Sequence, residues 1–286
     1  MLFFEILMTI EDFVAKLEKI LPFEAGLEND KLGLQIKTDS GEISNVLICY
    51  ELTPEVIEEA LSYKSNLIIS FHPLIYHPLQ NILNTERVGT LVQGLIRNGI
   101  SLVVCHTNFD AYQKGTSWIF ANRIGLVVTG FLSENKYLQG FGFGVVGEFP
   151  SPITELDFLS RISKITYSPL RWCKGKSDFV SKVAVVAGSG FSFAELAFEK
   201  EVDAFVTADI SYHNFHKYNG KMMLVDPGHW EMEYFVAKAL KELFEEFFNG
   251  EVGFFVSNIY TNPVRYFAEK NYNLIQENNL LNISGK

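Results

Sequence analysis

The chain reads as an α/β protein for three reasons. Six near-continuous apolar runs, "NVLICY", "NLIIS", "SLVVCHT", "KVAVVAG", "DAFVTA" and "KMMLVD", have the character of strands covered on both faces. Helical stretches fall between them: Pro54 to Leu61, Phe193 to Lys200, and a long one from about His229 to Phe248. Third, a shift of 137 positions lays "NVLICYELTPEVIEEALSYKSNLIISFH" on "KVAVVAGSGFSFAELAFEKEVDAFVTAD" without a gap, with Val46 on Val183, Ala60 on Ala197 and His72 on Asp209. The identities are few. The match fits two similar lobes and equally the ordinary likeness of two βαβ units.

Taken in order, "MLFFEILM" is apolar but short and interrupted by Glu5, so it is neither a membrane span nor a signal peptide. It reads as an extra strand or as residues upstream of the natural start. Thr9 is placed to cap a helix through Ile10, Phe13, Val14, Leu17, Ile20 and Leu21, which Pro22 ends. The alternating strands and helices follow, with no low-complexity linker. A first lobe over residues 1–125 and a second over 126–286 are expected, the C-terminal segment packing back on the first. "GSGFS", Gly188 to Ser192, joins a strand to a helix; its amides are able to cradle an anion, although a tight turn is the commoner reason for such glycines.

Composition narrows the function. With 48% hydrophobic, 14% aromatic and 20% charged residues in 286, the chain has the makings of a globular protein with a large interior. A formal charge of −10 argues against a nucleic-acid surface and favours small molecules. Three cysteines, an odd number, two of them within strand-like runs, suggest reduced thiols and a cytoplasmic protein. The aromatic load, "FGFGVVGEF" included, points to surfaces covered by self-association.

Polar residues cluster just past the strand ends, where ligands bind in open α/β sheets. His72 follows "NLIIS", His106 and Asp110 follow "SLVVC", Asp209 and His213 follow "DAFVT", and Asp226 and His229 follow "KMMLV". Any one such histidine is ordinarily a hydrogen-bonded loop residue; the set together points to a metal. His229 and Glu233 stand i and i+4 on one helix face, so an imidazole and a carboxylate can reach the same ion, while Glu231 points elsewhere. Asp110 lies four residues after His106.

The segments "LPFEAGLENDKLGLQI", "FHPLIYHPLQNI", "CHTNFDA", "GFGVVGEF", "VAVVAGSGFSF", "DAFVTADISYHNF", "LVDPGHWEME" and "NIYTNPVRYF", in this order, resemble the Nif-three-like family, whose bacterial members are often called GTP cyclohydrolase 1 type 2 homologues. The resemblance implies two interlinked α/β lobes with mixed sheets, a ring-shaped homo-oligomer, a hexamer, and a dinuclear metal site between the lobes. Its implied ligands are the residue before His72, then His72, Asp110, His229 and Glu233. Phe71 departs from the pattern, since the family usually has a second histidine there and a phenyl ring ligates nothing. One tight and one weak divalent ion are therefore expected, with His106 or water filling the gap. Zinc, iron and manganese all suit such ligands. The implied reaction is metal-assisted hydrolytic opening of the guanine imidazole ring of GTP, with His106 or His213 shuttling protons and Asp209 and His213 supporting the ligands. A non-catalytic, metal-binding, ring-forming scaffold or regulatory protein is the alternative. No membrane partner is expected.

Overall fold

A computed structural model describes residues 8–39 and 41–267. The first seven residues, read above as an extra strand or an upstream start, lie outside these. The first helix, α1 (Ile10–Ile20), starts where Thr9 accepts the Asp12 N–H at 3.1 Å, and it buries Ile10, Phe13 and Leu17. There follow β1 (Gly33–Ile36), β2 (Asn45–Cys49), α2 (Pro54–Ser62), β3 (Leu67–Ser70), α3 (Arg87–Arg97), β4 (Ser101–Val104), α4 (Thr107–Asp110) and α5 (Thr116–Arg123). The chain continues through β5 (Val127–Glu134), β6 (Gly142–Thr154), α6 (Glu155–Thr166), β7 (Arg171–Cys173), β8 (Phe179–Val185), α7 (Ala194–Glu199) and β9 (Ala204–Val206). It closes with α8 (Tyr212–Tyr218), β10 (Met223–Asp226), α9 (His229–Glu233), α10 (Val236–Phe248) and β11 (Gly253–Val256).

Two mixed sheets result. One has the order β1-β4-β3-β2-β11, parallel except for β1; the other has the order β5-β6-β8-β9-β10-β7, with a parallel centre of β8, β9 and β10. The late strand β11 pairs with β2, which ties the end of the described chain into the first sheet. The internal match is geometric as well: the shift that lays Val46 on Val183 carries the parallel pairing Val46 with Leu67 onto Val183 with Ala204. Ala60 and Ala197, aligned by the same shift, are both fully buried under their sheets.

One apolar core is common to both sheets. It joins Val46, Ile69 and Val103 of the first to Val183, Val206 and Val225 of the second, with the rings of Phe13 and Phe248 stacked 4.7 Å apart beside them. Smaller clusters lie under α2 and α3 on the outer face of the first sheet and under α7 on that of the second. Full burial of each such side chain contributes about 1.5–3 kcal/mol.

Two expectations change. The long helix from His229 is two helices, α9 and α10, separated by a turn at Tyr234 and Phe235. There Arg123 engages both rings, its guanidinium 5.3 Å from the Tyr234 centroid and 4.5 Å from that of Phe235. The "FGFGVVGEF" run is not an outer surface: it forms β6, between β5 and β8, with Val145, Val146 and Phe149 buried. All three cysteines are free. Among the described residues no helix is long and apolar enough to cross a membrane.

Candidate metal centre

The strand ends deliver the site. Beyond β3 the ladder continues for two residues, Phe71 N–H donating to the Cys49 carbonyl at 2.9 Å and His72 N–H to the Tyr50 carbonyl at 3.1 Å. This fixes both side chains: Phe71 turns into the core, fully buried, and His72 is left half-buried at the surface of the site. After β4 the turn α4 folds back through Asp110 N–H to His106 carbonyl at 3.1 Å. After β10, Gly228 at φ +100°, a conformation that suits glycine, starts α9 and its i, i+4 pair His229 and Glu233.

Each of three imidazoles has Nδ1 on a carboxylate. His72 faces Glu51 at 2.9 Å, His106 faces Asp30 at 2.9 Å, and His229 faces Asp209 at 2.6 Å. Such pairs fix the ring and leave Nε2 for an ion. The Nε2 atoms of His229 and His72 lie 3.1 and 3.7 Å from one oxygen of Glu233, which is 2% exposed and also accepts the Tyr50 hydroxyl at 3.0 Å. Donor atoms of His72, His229 and Glu233 all fall within 4.8 Å of one another. The His106 ring is 5.3 Å from that of His72 and edge-on to Phe71 at 5.2 Å.

Asp110 supplies the test of fit. Its Oδ1 is buried and has no hydrogen-bond partner, a costly state for a carboxylate oxygen unless a cation meets it. Burial and the neighbouring Glu233 charge push its pKa up to about 7. Burial opposes charge on His229, but the Asp209 and Glu233 carboxylates outweigh it and raise the pKa to about 10. Burial likewise opposes charge on Glu233, and His229 and His72 outweigh it, holding the carboxyl below its ordinary value. Imidazole nitrogens and carboxylate oxygens concentrated in this way suit a first-row divalent ion.

Of the residues expected from sequence, His72, His229 and Glu233 come together, His106 borders them, and Asp110 lies close enough to feel the Glu233 and His106 charges. Asp209 supports His229, as expected. His213 is elsewhere: it is exposed on α8 with its ring against Tyr212, 5.4 Å between centroids. Glu51, Asp30, Tyr50 and Gly188 were not anticipated. Tyr50 and Glu51 obey the strand-end rule, following β2; Asp30 arrives from the segment before β1 and carries no such mark. Gly188, at φ +64°, packs so closely that a Cβ there would stand 2.4 Å from Glu233 Oε1.

A cavity of about 480 Å³ opens beside the cluster, lined among others by Tyr50, Glu51, Arg87, Trp230, Asn262 and Pro263. A larger one of about 590 Å³, between α1, α5 and α10, has none of His72, Asp110, His229 and Glu233 in its lining.

The model of the Duf34/NIF3 (NGG1p interacting factor 3) family matches residues 8–263. The chain belongs to this family. Within it, the chain is 30% identical over 262 residues to a GTP cyclohydrolase 1 type 2 homolog of Lactococcus lactis subsp. lactis, covering 90% of this chain and 98% of that one. It is 27% identical to the Clostridium perfringens protein of the same name, covering 91% and 100%. The fold matches the crystal structure of the Staphylococcus aureus hypothetical protein SA1388 with a TM-score of 0.83 and 26% identity, over 91% of this chain and 99% of that one. A Bacillus cereus protein related to NIF3 shares the fold at a TM-score of 0.78.

Proposed function

We propose that this NIF3-family chain is a metal-dependent hydrolase that opens a heterocyclic ring, in the terms of its relatives' name the guanine imidazole of GTP. The observation that carries the reading is the convergence of two carboxylate-anchored imidazoles, His72 and His229, on the buried Glu233, with the unpartnered Asp110 oxygen close enough to feel the Glu233 and His229 charges. His72, Asp110, His229 and Glu233 hold the metal, one or two ions of zinc, iron or manganese. A bound divalent ion supplies a water ionised near neutrality and a positive charge that polarises the bond attacked.

The remaining residues position and move protons. Asp30 holds His106 by Nδ1, so Nε2 is the atom that carries a proton to the departing ring nitrogen. Burial works against charge on His106, and the Asp30 bond outweighs it, raising its pKa and keeping that proton available. His213 lies on an exposed helix and is the weaker candidate for this task. Tyr50 donates to Glu233 and holds the carboxylate in place.

Self-association belongs to the same reading. Tyr76, Leu79, Ile82 and Leu83 are exposed on the segment between β3 and α3, an apolar surface of the kind that copies of a chain cover, and a hexameric ring is the form the family resemblance suggests. The free thiols fit work in the cytoplasm.

The test is formate release from guanosine, GMP and GTP, each offered to the full chain as each metal is titrated in, followed by removal with chelator. Activity that tracks metal content supports the hydrolase. Metal bound without turnover of GTP or its guanine-containing fragments supports the scaffold alternative.

A further inference from the structure

The cavity beside the metal cluster is poor in positive charge. Once His72 and His229 are given to the metal, Arg87 is the one cationic side chain among the described residues of its lining. Arg87 is already engaged, donating to Glu51 Oε1 and, at 2.9 Å, to the Leu52 carbonyl. What remains of its guanidinium edge suits at most one anionic group. Three carboxylates, Glu51, Asp209 and Glu233, crowd the same end.

The glycine-rich turn beside the cluster does not offset this. Gly190 N–H points inward, to Thr207 Oγ1 at 2.8 Å and the Gly188 carbonyl at 3.0 Å, and Gly188 packs on the Glu233 carboxylate. Phosphate cradles are built the other way, with amides turned outward and joined by lysine and Mg²⁺. In "GSGFS" the Gly190 amide is thus spent inside a tight turn that closes the floor of the candidate site.

The walls, by contrast, suit a flat ring. Tyr50, Trp230, Pro263 and Val264 line the cavity. The Trp230 indole is braced before any ligand arrives, stacked on Tyr234 at 5.2 Å and edge-on to Tyr260 at 5.0 Å. The edge polar groups, Thr53, Thr261 and Asn262, are hydrogen-bonding and uncharged.

Resting on the hydrolase reading above, we infer that the pocket recognises a planar heterocycle stacked on Trp230, a nucleobase or nucleoside carrying at most one anionic group, and that a nucleoside triphosphate is not its substrate. The ring-opening chemistry stands, and the triphosphate is removed from it. An enzyme that strips phosphates, or one that releases the base, then supplies the substrate.

Equilibrium binding of guanosine, GMP and GTP to the full-length, Zn²⁺-loaded chain decides this, with metal content measured again after each titration. Guanosine is expected to bind at least as tightly as GTP, and Trp230→Ala to weaken guanosine by about tenfold or more, as loss of a stacking partner does. Arg87→Met, compared at equal metal content, is expected to close the difference between GMP and guanosine to within about twofold. A preference for GTP of about tenfold or more, steeply weakened by salt, overturns the inference. So does failure of guanosine to bind, or guanosine binding that ignores Trp230→Ala. Turnover is read separately: guanosine bound but never opened sinks the hydrolase reading alone, whereas GTP both preferred and opened sinks only this one.

Discussion

Asp209 and His229 are joined Oδ2 to Nδ1 at 2.6 Å, and Asp209 holds in the second strand–helix–strand unit the place that His72 holds in the first. The two units thus supply an imidazole from one side and a brace for an imidazole from the other. Asp209→Asn keeps the shape but replaces a carboxylate with an amide, and asparagine tolerates the left-handed φ of +56° found there. Metal affinity measured by chelator competition should fall about 10–100-fold with the fold unchanged. Affinity equal to wild type would show that His229 needs no brace.

Gly188→Ala tests how tightly the floor of the site is set. The added methyl meets Glu233 Oε1 at 2.4 Å, and φ of +64° is unfavourable for alanine. Thermal denaturation should report a loss of about 1–2 kcal/mol from the backbone alone. Metal content should drop as well, because Glu233 has to move. A variant as stable and as metal-rich as wild type contradicts the packing described.

Metal uptake should release protons. His229, with a pKa raised to about 10, holds a proton at neutral pH, Asp110, at about 7, holds one in about half of the molecules, and both bind metal only without it. Calorimetry in buffers of different ionisation enthalpy should therefore show more than one proton leaving per ion at pH 7, and affinity rising from pH 6 to pH 8. In the metal-free chain the sign reverses for stability. The raised His229 contributes fully below its unfolded value near 6.5 and is lost as pH climbs through about 10, while the depressed Asp209 contributes above its ordinary range and is lost in acid. Buffer-independent heats of metal binding would contradict these assignments.

Phe71 lies fully buried beneath the site, its ring 5.9 Å from Tyr50 and 5.2 Å from His106. Phe71→His is close in volume and places an imidazole beside His106. Metal content per chain should rise above wild type, with a stability cost of about 1–3 kcal/mol for burying the ring nitrogens. An unchanged metal content would assign Phe71 to packing alone.

Much of this was legible in the chain because the signals were periodic or positional. Continuous apolar runs marked the parallel strands, since both faces are covered, and polar residues after those runs marked His72, His106, Asp110, Asp209 and His229. The i, i+4 spacing placed Glu233. What the sequence hid depends on tertiary approach. Asp30 reaches His106 across 76 positions of chain, and Gly188 meets Glu233 only once β8 and β10 are brought to either side of β9 in one sheet. His213 shares the strand-end mark but is exposed on α8, because the turn after β9 buries Ile210 and leaves Ser211, Tyr212 and His213 on the outside. The break after Glu233 was equally hidden, since α9 and α10 carry one continuous helical pattern and the turn between them lies where Arg123 meets two rings.

We propose that His72, Asp110, His229 and Glu233 hold a divalent metal. The most direct measurement is elemental analysis of the full chain purified without chelators, wild type beside the Asp110→Ala, Glu233→Ala double variant, with circular dichroism on the same samples. A first-row metal is expected in the wild type and its loss from the variant, with the folded spectrum retained. Equal metal in the two proteins would contradict it.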